Sequence, residues 1–257
     1  MVDDRIDYNT MAETYDRRYA ANAMEPIAEA LRNLAVQLKA RCVLEAGCGT
    51  GHWLTEMRTV AHAFGTDRSL NMLHQASRKH PWKMLACATA DRLPFPDACF
   101  DMVYCVNALH HFPDQRAFVH AARRVLAPGG ALAVVGLDPH AGTDRWHVYD
   151  YFPETHAADL RRYPSCATLR TWMAETGLGA EGPQTVARVR TEHRGRAVMN
   201  DPFLEKSATS QLALLSDEAY AAGMQRIEEA LAEAEAMGRQ ITFSVDLSTV
   251  MLVGHLR

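Results

Sequence analysis

The run Val43-Leu44-Glu45-Ala46-Gly47-Cys48-Gly49-Thr50-Gly51 places three glycines at alternate positions directly after a short apolar stretch. Glycine permits a tight turn and lets a ligand touch bare backbone. Gly47, Gly49 and Gly51 therefore read as a binding loop between a strand and a helix. Asp67 ends the next apolar run, 20 residues past Gly47. A carboxylate there can accept both hydroxyls of a ribose. Nicotinamide and flavin sites share these features, but two details separate this loop from them. Its spacing is GxGxG, not the GxGxxG that sets a helix N-terminus against a pyrophosphate. Glu45 also stands just before the loop, where it would repel a pyrophosphate but suits a ligand carrying an ammonium and a sulfonium. The bland alternative is a glycine turn with no ligand, and the placement of Asp67 weighs against it.

His110 and His111 are the next candidates, as general bases. They follow a fourth strand at its carboxyl end, where doubly wound sheets bind ligands. Adjacent side chains point apart, so one of the pair is expected to face the pocket. The competing role is hydrogen bonding within their own loop.

These residues need elements to position them. Ile27, Leu31, Leu34 and Leu38 recur at helical spacing within 24–40. CVLEA (42–46) reads as a buried parallel strand, and 51–58 as the helix after it. The alternation repeats through a strand at 61–67 and a helix at 69–80 with Ser69 as its N-cap. A strand at 83–89 and a Pro-rich loop follow, then a strand at 100–107 and a helix at 114–126 ended by Pro128-Gly129-Gly130. A fifth strand spans 131–137. Right-handed crossovers then give an α/β, doubly wound sheet. Segments 185–193 and 241–256 read as an antiparallel pair at one edge, for seven mostly parallel strands. A helix starts at Ser216 with Tyr220, Met224, Ile227, Leu231 and Met237 on its apolar face, and Gly238 stops it. The expected organisation is a single domain over 1–257, with an N-terminal lid at 1–23. Insertions at 138–165 and 197–240 form an inserted helical cap over the substrate.

The 257 residues are 48% hydrophobic and 23% charged, which is ordinary for a globular protein. A net charge of −4 with no basic tail argues against nucleic acid as a partner. Arg188 and Arg190 alternate with apolar residues as the solvated face of an edge strand does. No apolar run reaches membrane-spanning length and no secretory signal is present, so the expectation is a cytoplasmic monomer or homodimer with no membrane partner. The six cysteines form no CxxC pair and read as buried thiols, so no metal is expected. The 12 methionines read as core filler.

Four motifs in order make the sequence similar to the class I S-adenosylmethionine (SAM) dependent methyltransferases, in particular the ubiquinone/menaquinone-type subgroup. They are VLEAGCGTG (43–51), GTDRS (65–69), ATADRLPFPDACFDMVYCVNALHHF (88–112) and LAPGGALAVV (126–135), within a resemblance covering roughly 8–137. The resemblance implies a Rossmann-like methyltransferase fold and a role for each matching residue. Gly47, Gly49 and Gly51 would line the methionine part of SAM, with Glu45 near its amino group. Asp67 would hold the ribose, Arg68 and Met72 would pack beside the adenosine, and Ala90 and Asp91 would meet the adenine edge. Arg92 or Leu93 would cover the ring. Asn107 would close the methionine side, and Tyr15 would belong to the lid.

The implied reaction is transfer of a methyl group to a small molecule. Its neutral thioether leaving group needs no acid, so alignment dominates and a base matters only when the nucleophile carries a proton. The block after the fifth strand, where relatives line the acceptor site, holds His140, Trp146, His147, Tyr149 and Tyr151. With Tyr19 these are the candidate substrate residues, and an aromatic wall suits an apolar or planar acceptor. The same rings could instead pack the cap. The segment NALH lacks the Asn/Asp-Pro-Pro-Tyr of amino-directed DNA methylation. No Pro-Cys pair offers a nucleophile for cytosine C5, and no cysteine triad suggests arsenic. Alternatives to transfer are a non-methylating reaction that keeps SAM, or a SAM-binding regulator without turnover.

Overall fold

A computed structural model describes residues 25–79 and 84–257, so Tyr15, Tyr19 and the expected lid lie outside the described residues. Apolar runs with both faces buried become the strands, and one-sided periodic segments become the helices around them. In chain order the elements are α1 (Glu25–Gln37), β1 (Cys42–Ala46), α2 (His52–Met57), β2 (His62–Asp67), α3 (Leu70–Lys79), β3 (Leu85–Cys87) and β4 (Phe100–Val106). Then follow α4 (Gln115–Val125), β5 (Leu126–Gly136), β6 (Arg145–Trp146), α5 (His147–Tyr151), α6 (Pro153–Arg162), α7 (Cys166–Glu175) and β7 (Leu178–Ala180). The last are β8 (Gln184–Arg194), α8 (Ser210–Ala213), α9 (Asp217–Ala236) and β9 (Thr242–Leu256).

The chain divides into two compact units. The larger comprises the described residues up to Asp138, with Pro164–Ala187 and Thr249–Arg257. Its strands pair in the order β3-β2-β1-β4-β5-β9. The first five are mutually parallel and β9 runs antiparallel to β5. The side-chain period of two divides β1 and β4 between two buried layers. Leu44, Ala46, Val103 and Cys105 face α4 and α7, while Val43, Met102, Tyr104 and Val106 face α1 and α2. With β6, β7 and β8 included, nine strands are present among the described residues where seven were expected. The surplus is β6 and β7, of two and three residues, too short to show a periodicity in the sequence.

Helix α4 ends at Val125, before the Pro-Gly-Gly expected to stop it. Phe100 pairs with Leu126 and Met102 with Ala131, so Pro128, Gly129 and Gly130 bulge out of β5. Gly129 takes φ +79°, and a Cβ on Gly130 would lie 2.8 Å from the Asp101 carbonyl oxygen. The Asp101 carboxylate accepts the Arg41 and Cys42 N–H groups at 2.7 and 2.9 Å, anchoring the start of β1.

The smaller unit comprises Pro139–Tyr163 and Arg188–Ser248. Within it, β6 pairs antiparallel with β9, Arg145 opposite Asp246 and Trp146 opposite Val245. Ser216 caps α9 by accepting from the Ala219 N–H, and Gly238 at φ +61° follows the helix end. Ile227 and Leu231 are buried as expected, but Met237 is 55% exposed because it lies past the last helical turn. Gly223 is required by close packing: a Cβ there would fall 2.0 Å from Phe152 Cδ1. Arg188 and Arg190 both meet Asp246, so that solvated face is an ion-pair cluster. Among the described residues no helix is long and apolar enough to cross a membrane.

Candidate active site

The parallel strands β1, β2 and β4 deliver the glycine loop, Asp67 and Asn107 from their carboxyl ends. Gly47, Gly49 and Gly51 take φ of +72°, +51° and +80°, a region costly for residues with a Cβ. At Gly47 space is closed as well, since a Cβ would lie 2.8 Å from Ala108 Cβ and 3.1 Å from the Phe112 ring. The Thr66 carbonyl accepts from Gly47 N–H (2.8 Å) and Cys48 N–H (2.9 Å), tying the loop to β2. Asn107 is also left-handed, at φ +49°, a conformation asparagine tolerates better than most residues.

Asp67 bridges two backbones. Its Oδ2 accepts from Gly49 N–H at 2.9 Å and its Oδ1 from Ser69 N–H at 2.8 Å. Burial pushes its carboxyl above the ordinary aspartate range, against the opposing pull of these two amides. The Ser69 hydroxyl in turn caps α3 by accepting from Met72 N–H. Glu45 is 1% exposed. It lies opposite Tyr104 in the β1–β4 register, and Tyr104 Oη donates to its Oε2 at 3.3 Å. Desolvation drives Glu45 well above the usual carboxylate range; the tyrosine opposes this and the nearby Asp67 adds to it.

One crevice brings together Glu45, Gly47, Gly49, Asp67, Arg68, Met72, Ala90, Asn107 and His111. Gly51, Asp91, Arg92 and His110 stand outside its lining. Gly51 instead is the N-cap of α2. Arg92 is exposed and approaches Asp91 to 3.6 Å. His110 is 9% exposed and stacks near His111, ring centroids 3.9 Å apart. The tight turn over Leu109–His111 places both rings together instead of on opposite sides. Cys48, Trp53, Thr89 and Phe112 also line the crevice without having been singled out in the sequence. Phe112 is fixed by its packing on Gly47, a contact between segments far apart in the chain. Arg124 holds the adjoining loop, donating to the Leu93 and Phe95 carbonyls and the Asp97 carboxylate.

Three features fit a cationic adenosyl ligand. Glu45 offers a buried carboxyl, held by the Tyr104 hydroxyl, whose ionised form a cationic group would favour. The loop at Gly47 leaves bare backbone. Asp91 Oδ1 is buried with no hydrogen-bond partner among the described residues, as an oxygen awaiting an amine donor would be.

Of the candidate substrate residues, His140, Trp146, His147, Tyr149 and Tyr151 fall in the smaller unit. Trp146, Tyr149 and Tyr151 line one chamber there, with His147, His156 and Phe243. His140 does not line it, and its Nε2 lies 2.9 Å from the Tyr163 carbonyl oxygen. Tyr149 donates to Asp159 Oδ2 at 2.8 Å, and Gln211 donates to the same oxygen at 2.7 Å. Among the described residues no cluster suited to a metal ion occurs.

This fold and this site resemble those of the class I SAM-dependent methyltransferases. Residues 44–134 match the family model described as a methyltransferase domain. The chain is 34% identical over 100 residues to the 27-O-demethylrifamycin SV methyltransferase of Amycolatopsis mediterranei, covering 36% of this chain and 37% of that one. It is 31% identical over 143 residues to the O-methyltransferase rstn1 of Aspergillus nomiae, covering 52% and 63%. The chain thus spans less than two thirds of these relatives. Among solved structures, a protein of Anabaena variabilis described as a candidate methyltransferase from an antibiotic biosynthesis pathway superposes with a TM-score of 0.67. It is 20% identical and covers 90% of this chain and 96% of its own, a likeness of fold.

Proposed function

We propose that this chain transfers the methyl group of SAM to a hydroxyl-bearing small molecule by in-line displacement. The observation that carries this reading is Glu45, a buried acid with a raised pKa beside a glycine loop held at positive φ. Glu45 and the loop backbone hold the methionine end, Asp67 the ribose, and Met72, Ala90 and Asp91 the base. The bound cofactor supplies an electrophilic methyl on a sulfonium.

The chain's own contribution is alignment and exclusion of water, which supplies roughly 7–11 kcal/mol in favourable cases. His111 lines the crevice and in this reading takes the hydroxyl proton, with the His110 ring tilted against it. An oxygen acceptor is favoured by the relatives, both of which are named for O-methylation or an O-demethylated substrate. Segments 138–165 and 197–240 bind the acceptor in this reading, through Trp146, Tyr149 and Tyr151, with Tyr19 and His140 as further candidates. The net charge of −4 agrees with a cytoplasmic enzyme that has neither nucleic acid nor membrane as partner.

The test is incubation of the protein with SAM and a metabolite extract while S-adenosylhomocysteine is followed. Its appearance, dependent on extract, is the expected result. New products without it indicate a non-methylating reaction, and tight SAM binding with no product indicates a regulator; either overturns the proposal.

A further inference from the structure

We propose that Tyr104 is a positioning residue for the crevice: its phenol holds one oxygen of Glu45 and leaves the other for the ammonium group of the ligand. The ammonium comes from the methyltransferase reading. The geometry lies wholly within the larger unit.

The pairing of β1 with β4 makes the contact. Glu45 and Tyr104 are direct neighbours in that parallel register. The side-chain period of two puts Glu45 on the face of Val43, the same face as Tyr104, toward α1 and α2. Tyr104 is fully buried. A leucine or phenylalanine would fill that space without taking a hydroxyl out of water, which costs free energy unless the hydroxyl finds a partner. Among the described residues the partner is Glu45 Oε2, at 3.3 Å. Glu45 lines the crevice and Tyr104 does not, so the phenol acts only through the acid.

The charges around the pair give the phenol its task. Among the described residues, the titratable groups coupled to Glu45 are Tyr104 and Cys105 on β4, Asp67 at the end of β2 and Cys48 in the loop. None is a cation, and of them only Tyr104 favours the ionised acid. Burial and the facing acid push the phenol well above its ordinary range, so it stays a neutral donor. At 3.3 Å the bond is long for a hydroxyl. An ionised carboxylate draws such a donor in to about 2.5–2.7 Å, so the bond strengthens as an ammonium arrives and the acid ionises.

The experiment uses the full chain, unaltered and as Tyr104→Phe, Glu45→Gln and the double variant. Phenylalanine fills the same space less one oxygen, so the fold is kept, as circular dichroism will check. Infrared difference spectra of the ligand-free protein, taken against Glu45→Gln, follow the protonated Glu45 carboxyl with pH. Calorimetry follows S-adenosylhomocysteine affinity over the same range. Tyr104→Phe is expected to raise the carboxyl midpoint by about one pH unit, and the rise in affinity by the same amount. Below that rise the variant binds about tenfold more weakly, and above it the two proteins converge. In the Glu45→Gln background the same substitution changes affinity less than about twofold at any pH. A phenol that only fills the core would lower affinity equally at every pH and in both backgrounds. That pattern, or an unmoved carboxyl midpoint, overturns the inference and leaves the methyltransferase reading standing. No binding of S-adenosylhomocysteine by the unaltered protein sinks that reading, and the role toward an ammonium with it, whatever the infrared midpoint does.

Discussion

Both units bury acids, but they treat them differently. In the larger unit Glu45 faces a neutral tyrosine and Asp67 faces backbone amides; in both, desolvation wins and the carboxyl titrates above its ordinary range. In the smaller unit burial also pushes Asp201 upward, but His147, the Phe203 N–H and His193 outweigh it and the carboxyl titrates below its ordinary range. Its Oδ2 lies 3.1 Å from His147 Nε2 and 3.3 Å from His193 Nε2. Asp159, also in the smaller unit, shares the direction of Glu45 and Asp67: Gln211, Tyr149 and Arg162 oppose desolvation without overcoming it. An acid whose burial is uncompensated within the fold is one whose counter-charge arrives with a ligand. A compensated acid holds structure.

The sharpest way to break this contrast is Asp67→Ala. It removes the ribose acceptor and also strands the Gly49 and Ser69 N–H groups. We expect the affinity for S-adenosylhomocysteine to fall at least about a thousandfold, ~4 kcal/mol. Retained micromolar affinity by calorimetry would refute the assignment. Asp201→Ala should do the opposite: no direct loss at the crevice, but about 3 kcal/mol of stability lost from the smaller unit, because His147 is left buried without its acid. Hydrogen exchange should show protection falling in 188–248 and unchanged in 42–137. A uniform loss would mean that Asp201 supports the whole chain.

Gly47→Ala tests the loop itself, with a strained φ and a Cβ contact at 2.8 Å costing about 2 kcal/mol. The unfolding midpoint and ligand affinity should drop together; a neutral variant would show that Ala108 and Phe112 can yield.

The parts of the site that were legible in the sequence are those imposed by local backbone demands. The glycines at 47, 49 and 51 announce positive φ, Ser69 and Ser216 announce helix starts, and Asp67 sits where a strand must end. What stayed hidden depends on register or on distant segments. Tyr104 lies in the apolar run FDMVYCV and looks like core filler until β1 and β4 are aligned and it falls opposite Glu45. His147, His193 and Asp201 come from three segments with no shared spacing, so nothing local marks them as a cluster. Pro128-Gly129-Gly130 resembles a helix stop, and only the pairing of β4 with β5 reveals a bulge.

Titration separates the two classes of acid by sign. Glu45 has a folded pKa above its unfolded value, so its contribution to the fold is fully present at low pH and is lost as pH rises through the raised value. A cationic ligand prefers the ionised form, so affinity should climb with pH through that window and then level off. Glu45→Gln should flatten the climb and cost about tenfold, ~1.4 kcal/mol, on the plateau. Asp201 has the opposite sign: its contribution is present above the ordinary aspartate range and is lost as pH falls through the depressed folded value. Acid should therefore loosen the smaller unit around Asp201 while it relieves Glu45 in the larger one, a divergence visible by hydrogen exchange as pH falls below the ordinary aspartate range. Parallel loosening would erase the distinction.

The smallest effect is expected at Asp91, and it is the most discriminating. Its Oδ1 is buried with no partner among the described residues, while Arg92 approaches Oδ2 from a largely exposed position. If that oxygen accepts from an exocyclic amine, Asp91→Asn keeps an acceptor oxygen and adds a donor. The loss for S-adenosylhomocysteine should then be only a few-fold, under ~1 kcal/mol. The inosine analogue carries a carbonyl in place of the amine, so two acceptors would face each other in the unaltered protein. The same variant should bind that analogue better than the unaltered protein does, because an amide N–H can turn toward the new oxygen. Equal losses for both ligands would mean that Asp91 acts through its loop, and the adenine edge would have to be read by another group.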